Sequence, residues 1–185
     1  RMEEELAIFG FDKKTIAAAA DAGYASQRAY RETLFKKGDE ALQKARQSGS
    51  KVLILAGRPY HIDPLINHGI ELLMSSLGFT VVSEDSIRPL EGKARLDVLN
   101  QWTYHARMYN AARACCQMED TALVQLVSFG CGIDAITTDE VKAILSRGNR
   151  LYTQLKIDEI NNLGAVKIRL RSLLAAMEER EKLKA

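Results

Sequence analysis

The sequence predicts an α/β fold, a Rossmann-like parallel sheet of about four strands with helices on both faces, preceded by an N-terminal helical segment. Four short, mostly apolar segments rich in β-branched residues are typical of strands buried on both faces of a parallel sheet. Amphipathic helical patterns alternate with them, which favours right-handed crossovers. Of the 185 residues, 46% are hydrophobic, enough for a compact core. We place the helical segment at residues 1–50 and the Rossmann-like domain at residues 51–185.

The N-terminal segment contains two predicted helices, over residues 12–22 and 26–47, with Gly23 between them. The run from Gln47 to Ser50 is polar and small, and we interpret it as a linker into the first strand. The pattern allows two placements for these helices. They pack on the sheet, or they bridge to a further domain.

The strands and helices that follow have local signals. The predicted strands are 52–56, 79–82, 123–127 and 151–157. Asp63 and Pro64 predict the N-cap and first residue of a helix that runs to Gly78. Thr137 and Glu140 have the spacing of a capping box, which predicts that a helix begins there. Apolar spacing predicts two more helices, over 96–116 and 163–177.

Composition excludes several classes of protein. With 26 cationic and 24 anionic side chains, the net charge is +2, which argues against disorder and against a basic nucleic-acid domain. No apolar run approaches the length of a membrane span, so we expect a soluble domain with no membrane partner. The three cysteines have no disulfide-framework spacing, which favours a cytoplasmic, reducing compartment. Because the chain starts Arg1-Met2, we expect a piece of a longer protein or a tag residue.

Candidate ligand-binding residues follow the predicted strands, at the sheet edge where open parallel sheets bind ligands. The loops at the other edge of the sheet are generic. The candidates are Arg58, Tyr60, His61 and Asp63 after the first strand, Glu84 and Asp85 after the second, and Asp158 and Asn161 after the fourth.

Cys131 is the candidate metal ligand, in the loop after the third strand. Gly130 and Gly132 flank it, so the backbone can turn sharply and approach a ligand closely. A thiolate at a helix N-terminus suits a metal, an iron–sulfur cluster or nucleophilic chemistry. The alternative is a buried structural cysteine beside a tight turn. Cys115 and Cys116 end a predicted helix, and we assign them to core packing.

Several segments resemble the large activator-related proteins of the 2-hydroxyacyl-CoA dehydratase family, and the similarity spans about residues 52–175. The longest are LAGRPYHIDPLINHG at 55–69 and VQLVSFGCGIDAITTD at 124–139. Shorter ones are NQWTYH at 100–105, IDEINNLGA at 157–165 and IRLRSL at 168–173. The first fifty residues match less distinctly.

The resemblance implies a domain of a long protein, commonly from anaerobic bacteria, that fuses ATP-binding activator-like domains to dehydratase-like domains. Activators of this family carry a [4Fe–4S] cluster and couple ATP hydrolysis to delivery of a low-potential electron. The dehydratase-like parts are Rossmann-like and hold an iron–sulfur cluster through cysteines from more than one domain. On this resemblance the chain is a dehydratase-like domain, and Cys131 is its cluster-ligand candidate.

Three hypotheses remain open from the sequence. The first is a redox module that places Cys131 at an iron–sulfur site shared with other domains of the same long chain. The second is a binding module for an anionic ligand such as CoA, in which Arg58, His61 and the N–H groups near residues 130–132 form the anion site. The third is a structural domain that docks partner domains. The P-loop, G-x-G-x-x-G, C-x-x-C and H-E-x-x-H motifs are absent, and we expect the isolated domain to be inactive.

Overall fold

A four-stranded parallel sheet forms the centre of the molecule, in a computed structural model that describes residues 1–92, 95–128, 132–157 and 162–183. The strands are β1 (Val52–Ala56), β2 (Thr80–Ser83), β3 (Thr121–Val127) and β4 (Tyr152–Lys156). Their order is β2-β1-β3-β4, and each neighbouring pair is parallel. The predicted α/β class is therefore confirmed.

Seven α-helices belong to the described residues. They are α1 (Met2–Leu6), α2 (Lys13–Ser48), α3 (Pro64–Asn67), α4 (Ile70–Ser76), α5 (Thr103–Gln117), α6 (Gly132–Arg147) and α7 (Gly164–Lys182). Short 3-10 turns cover Ala7–Phe9, Pro59–Ile62 and Glu84–Ser86.

Side chains on opposite faces of the sheet pack into two separate cores. Val52 and Ile54 face a core built with α5, α6 and the end of α2, whereas Leu53 and Leu55 face a core built with α4 and α7. Alternate residues of one strand thus fill both cores, which explains why the strand sequences are apolar throughout. Because all four strands are parallel, their carboxyl ends lie along one edge of the sheet, the carboxyl edge. Their amino ends lie along the opposite edge, the amino edge.

The helix predicted from Pro64 to Gly78 is wrong as a single element. His68 and Gly69 both have left-handed backbone angles, with φ of 59° and 74°, and this pair separates α3 from α4. Leu65 is 88% exposed and belongs to the separate short helix α3, so it does not share the buried face of Ile70 and Met74 in α4. Asp63 does cap that helix, accepting a hydrogen bond from the N–H of Leu65.

Two helix starts also differ from the prediction. The helix predicted over 96–116 begins at Thr103. The capping box predicted for Thr137 and Glu140 is wrong, because both residues lie inside α6, which begins at Gly132. The Thr137 hydroxyl donates to the carbonyl of Ile133 one turn earlier. Glu140 accepts hydrogen bonds from the backbone N–H of Asp97 and from the side chain of Arg147, the last residue of α6, instead of capping the helix.

The N-terminal segment forms one long helix where two were predicted. Asp12 caps α2 by accepting from the N–H of Thr15, and Gly23 lies within the helix. The last turns of α2 pack on the sheet, since Ala45 belongs to the core on that face. Of the two placements left open by the sequence, this part of α2 takes the first. The division at residues 50 and 51 stays a prediction.

Candidate functional site

His61 lies at the centre of a buried polar network at the carboxyl edge. Its side chain is 2% exposed, and both ring nitrogens are engaged. Nδ1 accepts a hydrogen bond from the backbone N–H of Arg58 at 3.0 Å, and Nε2 lies 2.7 Å from the hydroxyl oxygen of Ser128. Because Nδ1 accepts, Nε2 carries the proton and donates to Ser128. Burial lowers the pKa of His61, since loss of water disfavours the imidazolium.

This arrangement is not the base–nucleophile pair of a serine hydrolase. In such a pair the histidine accepts the proton of the serine hydroxyl, and a carboxylate orients the other ring nitrogen. In this chain the histidine donates to Ser128, and its other nitrogen bonds to backbone. The geometry therefore indicates a structural link between the loop after β1 and the end of β3.

Arg58 and Asp134 form an ion pair beside that histidine. The Nε and Nη2 of Arg58 lie 3.1 and 2.9 Å from Oδ1 of Asp134. Burial by itself lowers the pKa of Arg58, but the hydrogen bond and charge of Asp134 outweigh it and raise the pKa above its ordinary value. Asp134, in the first turn of α6, is 6% exposed. Its Oδ2 is buried and has no hydrogen-bond partner in the described part of the chain.

His105 of α5 lies near the same ion pair and is also buried. Burial lowers its pKa, the charge of Asp134 raises it and the charge of Arg58 lowers it. Its ring contacts the rings of Trp102, Tyr104 and Tyr109. Among the residues that the structure describes, Nε2 of His105 has no hydrogen-bond partner. These ring contacts indicate a packing role for His105.

Glu84 is the second buried acid of the carboxyl edge, in the turn after β2. It is 4% exposed and pairs with Arg107 of α5 at 3.3 Å. Burial raises the pKa of Glu84 to about 7, with a further rise from Asp85, while Arg107 opposes the shift. A carboxyl group with this pKa exchanges its proton near neutral pH. Asp85 accepts a hydrogen bond from the hydroxyl of Ser83 instead of joining the ion pair.

The structure brings together only part of the predicted set. Arg58 and His61 share one network. Tyr60 is partly exposed and meets the ring of His61 edge-on, and Asp63 serves as the cap of α3. Cys131, Asp158 and Asn161 lie outside the described residues, so their predictions stay predictions.

Ser128, Asp134 and Asn67 were not selected from the sequence, although the network depends on them. Ser128 and Asp134 lie three residues before and three residues after Cys131 in the sequence. Asn67 is fully buried and donates from Nδ2 to the carbonyl of His61. All three residues lie within the two long motifs at 55–69 and 124–139, and this was the one feature of the sequence that could have pointed to them. Their contacts could not be predicted, because each contact depends on the fold.

Two cavities lined by described residues lie away from this network. One, of about 430 Å³, lies against β4 and the start of α7 and is lined by Lys156, Asn162 and Arg169 among others. The other, of about 380 Å³, lies at the amino edge of the sheet, between the ends of α2 and α5. Neither contains Arg58, His61 or Asp134.

The described residues contain neither a metal-ligating cluster nor a helix that could cross a membrane. Over residues 1–92, 95–128, 132–157 and 162–183, no group of three or more histidine, cysteine or acidic side chains is placed to hold a metal ion. No helix among those residues has the length and apolar character needed to cross a membrane.

Comparison with known proteins gives a family match over the N-terminal part of the chain. Residues 1–87 match the family described as CoA enzyme activase uncharacterised domain (DUF2229). The match runs from α1 to the turn after β2, so it includes Arg58, His61 and Glu84. No curated protein matches the chain. This match over residues 1–87 fits the resemblance found in the sequence to a dehydratase-activator-related domain.

Proposed function

We propose that this activator-related domain supplies Cys131 as one ligand of an iron–sulfur cluster that it shares with other domains of a longer protein. The observation that carries the proposal is that Ser128 and Asp134, three residues before and three residues after Cys131, are both held at the carboxyl edge of the sheet. Ser128 is bonded to His61, and Asp134 is paired with Arg58. Open parallel sheets bind their ligands at this edge.

The donor set of the described residues does not make a complete cluster site. An iron–sulfur cluster needs about four protein ligands, and no metal-ligating group of three is found in the described ranges. Cys115 is fully buried, and burial raises its pKa to about 12, so it stays a thiol at neutral pH. The remaining ligands in this proposal therefore come from other domains or a second subunit.

When bound, such a cluster supplies one-electron transfer. The residues of this chain then contribute ligation, burial and hydrogen bonds, which together set the reduction potential. Electron transfer of this kind agrees with the activator-related family and with a reducing, cytoplasmic setting in an anaerobic bacterium. A dehydratase or an acyl-CoA substrate is the proposed partner beyond the long chain itself.

The anion-binding alternative has weaker support from the geometry. The positive charge of Arg58 is neutralised by Asp134, and His61 is uncharged with both ring nitrogens bonded. An anion such as CoA would have to displace Asp134 from Arg58. We therefore place this hypothesis last.

The docking hypothesis has a specific observation in its favour and is our second candidate. Large apolar side chains are exposed on α1, the turn after it and the first half of α2. They are Met2, Ile8, Phe9, Phe11, Tyr24 and Tyr30. Exposed apolar side chains clustered on one part of a protein mark interaction surfaces.

The test is anaerobic reconstitution of the intact protein with iron and sulfide, followed by iron and sulfide analysis and low-temperature EPR. Cys131→Ala is expected to remove or alter the cluster signal, because a ligand is lost. Cys116→Ala is the matched control, since Cys116 packs against the core near α6. Iron content and EPR spectrum unchanged by Cys131→Ala would refute the proposal. Retained partner binding would then leave docking as the function.

A further inference from the structure

We propose that the exposed part of α2 is an arm that pairs, antiparallel, with the same arm of a second copy of this chain. The arm consists of residues 15–36. This inference is independent of the cluster proposed above, and it names a partner for the docking surface on the N-terminal helices.

The arm has a long stretch that is exposed on every side. Each residue of α2 from Asp21 to Thr33 is exposed, so no other element of the described chain covers this stretch. Its thirteen residues are about 20 Å long. The three buried residues of α2, Ile16, Gly38 and Ala45, lie outside it. An isolated helix of this length is only marginally stable in water, and helices in proteins are stabilised mainly by packing along one face. A partner along the arm would supply that packing.

One face of the arm, the outer face, is turned away from the rest of the described chain. With 3.6 residues per turn, Ile16, Gly38 and Ala45 lie on one side of α2, the side that packs on α1 and on the domain. The residues of the outer face recur at spacings of four, three and four on the opposite side, and they are Ala18, Ala22, Ala25 and Ala29. A second helix can therefore lie along the outer face without meeting the rest of this chain, and the short side chains allow it to approach closely.

Two opposite charges flank the outer face on the same side. Asp21 and Arg28 are seven residues apart, which is two turns, and both are exposed. Neither has an ion-pair partner among the residues that the structure describes. Glu32 lies one turn beyond Arg28, but it is paired with Arg88 at 3.2 Å. Both charges are therefore available to a partner.

Antiparallel pairing of two copies matches these charges. A two-fold axis between Ala22 and Ala25 sets Ala22 against the partner's Ala25 and brings Asp21 of each copy beside the partner's Arg28. The interface then contains two identical ion pairs related by the axis. In a parallel, in-register pair, Asp21 would lie beside the partner's Ser26 and would meet no opposite charge. Because flanking charges set the partner and the orientation of paired helices, this pattern favours a second copy in the antiparallel arrangement.

The same register covers an exposed aromatic side chain at the tip of the arm. Phe11 is 53% exposed and lies just before α2, seven residues before Ala18 on the line of the outer face. Antiparallel pairing brings it beside Lys36 of the partner. The aliphatic part of a lysine side chain can cover an aromatic ring while its charge stays in water. Pairing therefore removes apolar surface from water at both ends of the interface.

The test is sedimentation equilibrium of the full chain of 185 residues over about 1 to 100 µM. A reversible equilibrium between monomer and dimer is expected. A monomer throughout this range would overturn the proposal, and another protein or domain would then be the partner of the arm.

Charge reversal tests the two ion pairs. Asp21→Arg and Arg28→Asp each replace two attractions by two repulsions, so each is expected to raise the dimer Kd about tenfold or more. An equimolar mixture of the two variants restores opposite charges between unlike chains. The mixture is therefore expected to dimerise with a Kd within about threefold of the wild-type value. A mixture that associates no better than either variant alone would contradict the pairing.

Arg31→Asp is the matched control. Arg31 is exposed within one turn of Arg28, but it lies toward the side of α2 opposite the outer face. The substitution changes the net charge as Arg28→Asp does, yet the Kd is expected to stay within about twofold of the wild-type value. An effect as large as that of Arg28→Asp would show that net charge, and not this interface, controls association.

Cysteine cross-linking tests the orientation. Chains carrying Ala22→Cys are mixed with chains carrying Ala25→Cys, and mass spectrometry of the linked peptides separates the new disulfides from any bonds of the native cysteines. Antiparallel packing predicts that the link between positions 22 and 25 forms faster than a link between identical chains. Faster linkage of each variant with itself would indicate a parallel pair and overturn the proposal. Far-UV circular dichroism is expected to show unchanged helix content in all variants, because every changed position is exposed.

Discussion

The two edges of the sheet solve the burial of polar groups in different ways. At the amino edge, side chains bond to nearby backbone: Arg150 donates to the carbonyl of Cys116, and the Cys116 thiol lies against the carbonyl of Ile144. At the carboxyl edge, charged and polar side chains bond to one another across the fold, as in the His61–Ser128 and Arg58–Asp134 contacts. Each edge keeps buried polar atoms without a hydrogen-bond partner among the described residues: Nε of Arg150 at the amino edge, and atoms of Asp134 and His105 at the carboxyl edge. The edges therefore differ in the partners of their polar groups, which are backbone atoms at one and side chains at the other.

The largest effect we expect is at the amino edge, from Gly148→Ala. A Cβ atom there would overlap the Cys116 side chain, so we expect a loss of about 3 kcal/mol in the free energy of unfolding. Gly23→Ala is the control, since a Cβ at Gly23 meets nothing and the position is helical. It is expected to gain about 0.5 kcal/mol. Urea unfolding measures both, and a neutral Gly148→Ala would disprove the tight packing of this edge.

Glu84→Gln, at the carboxyl edge, is expected to raise the free energy of unfolding, whereas Gly148→Ala lowers it. The pKa of Glu84 is raised from 4.5 to about 7 in the folded protein. The unfolded chain therefore loses this proton first, and the contribution of Glu84 to stability falls as pH rises from 4.5 to 7. The glutamine variant should be more stable by about 2 kcal/mol at pH 8.

The measurement for Glu84→Gln is the free energy of unfolding at pH 5 and pH 8. The variant and the wild type should differ little at pH 5 and clearly at pH 8. Asp63→Asn is the control, because Asp63 is exposed and takes no part in the Glu84–Arg107 ion pair, and asparagine can also cap α3. A gain of equal size at both pH values would contradict the assigned pKa.

The smallest effect we expect comes from the pH dependence of His61. Its lowered pKa means that the unfolded chain takes up the proton first as pH falls. The contribution of His61 to stability is therefore present above the unfolded pKa of 6.5 and is lost as pH falls through the folded value. His61→Gln should flatten this limb of the stability profile, measured by unfolding from pH 7.5 to pH 5. An unchanged slope would show that the pKa of His61 is the same in the folded and the unfolded protein.

The sequence predicted elements that local pattern determines, and it failed where distant contacts decide. All four strands were found within two residues of their observed starts, because apolar β-branched runs mark buried parallel strands. The start of α5 was placed seven residues too early, and the segment before it is held by distant contacts such as Leu90 N–H to Asn110. Asp134 was not selected because its partner, Arg58, is 76 residues away.

The site was predictable to the same extent. Polar loops at the carboxyl ends of the strands correctly indicated where Arg58, His61 and Glu84 meet the sheet. The pKa values of His61 and Glu84 could not be predicted from the sequence. Burial lowers the first and raises the second, and burial is known only from the fold.

The long helix α2 packs against the turn that follows β2. A helix of 36 residues is about 54 Å long, and Gly38 in it meets the backbone of Ser86 too closely for any Cβ atom. Ser86 belongs to the same 3-10 turn as Glu84. The close packing of α2 therefore helps to fix the turn that holds the acid whose pKa burial raises to about 7.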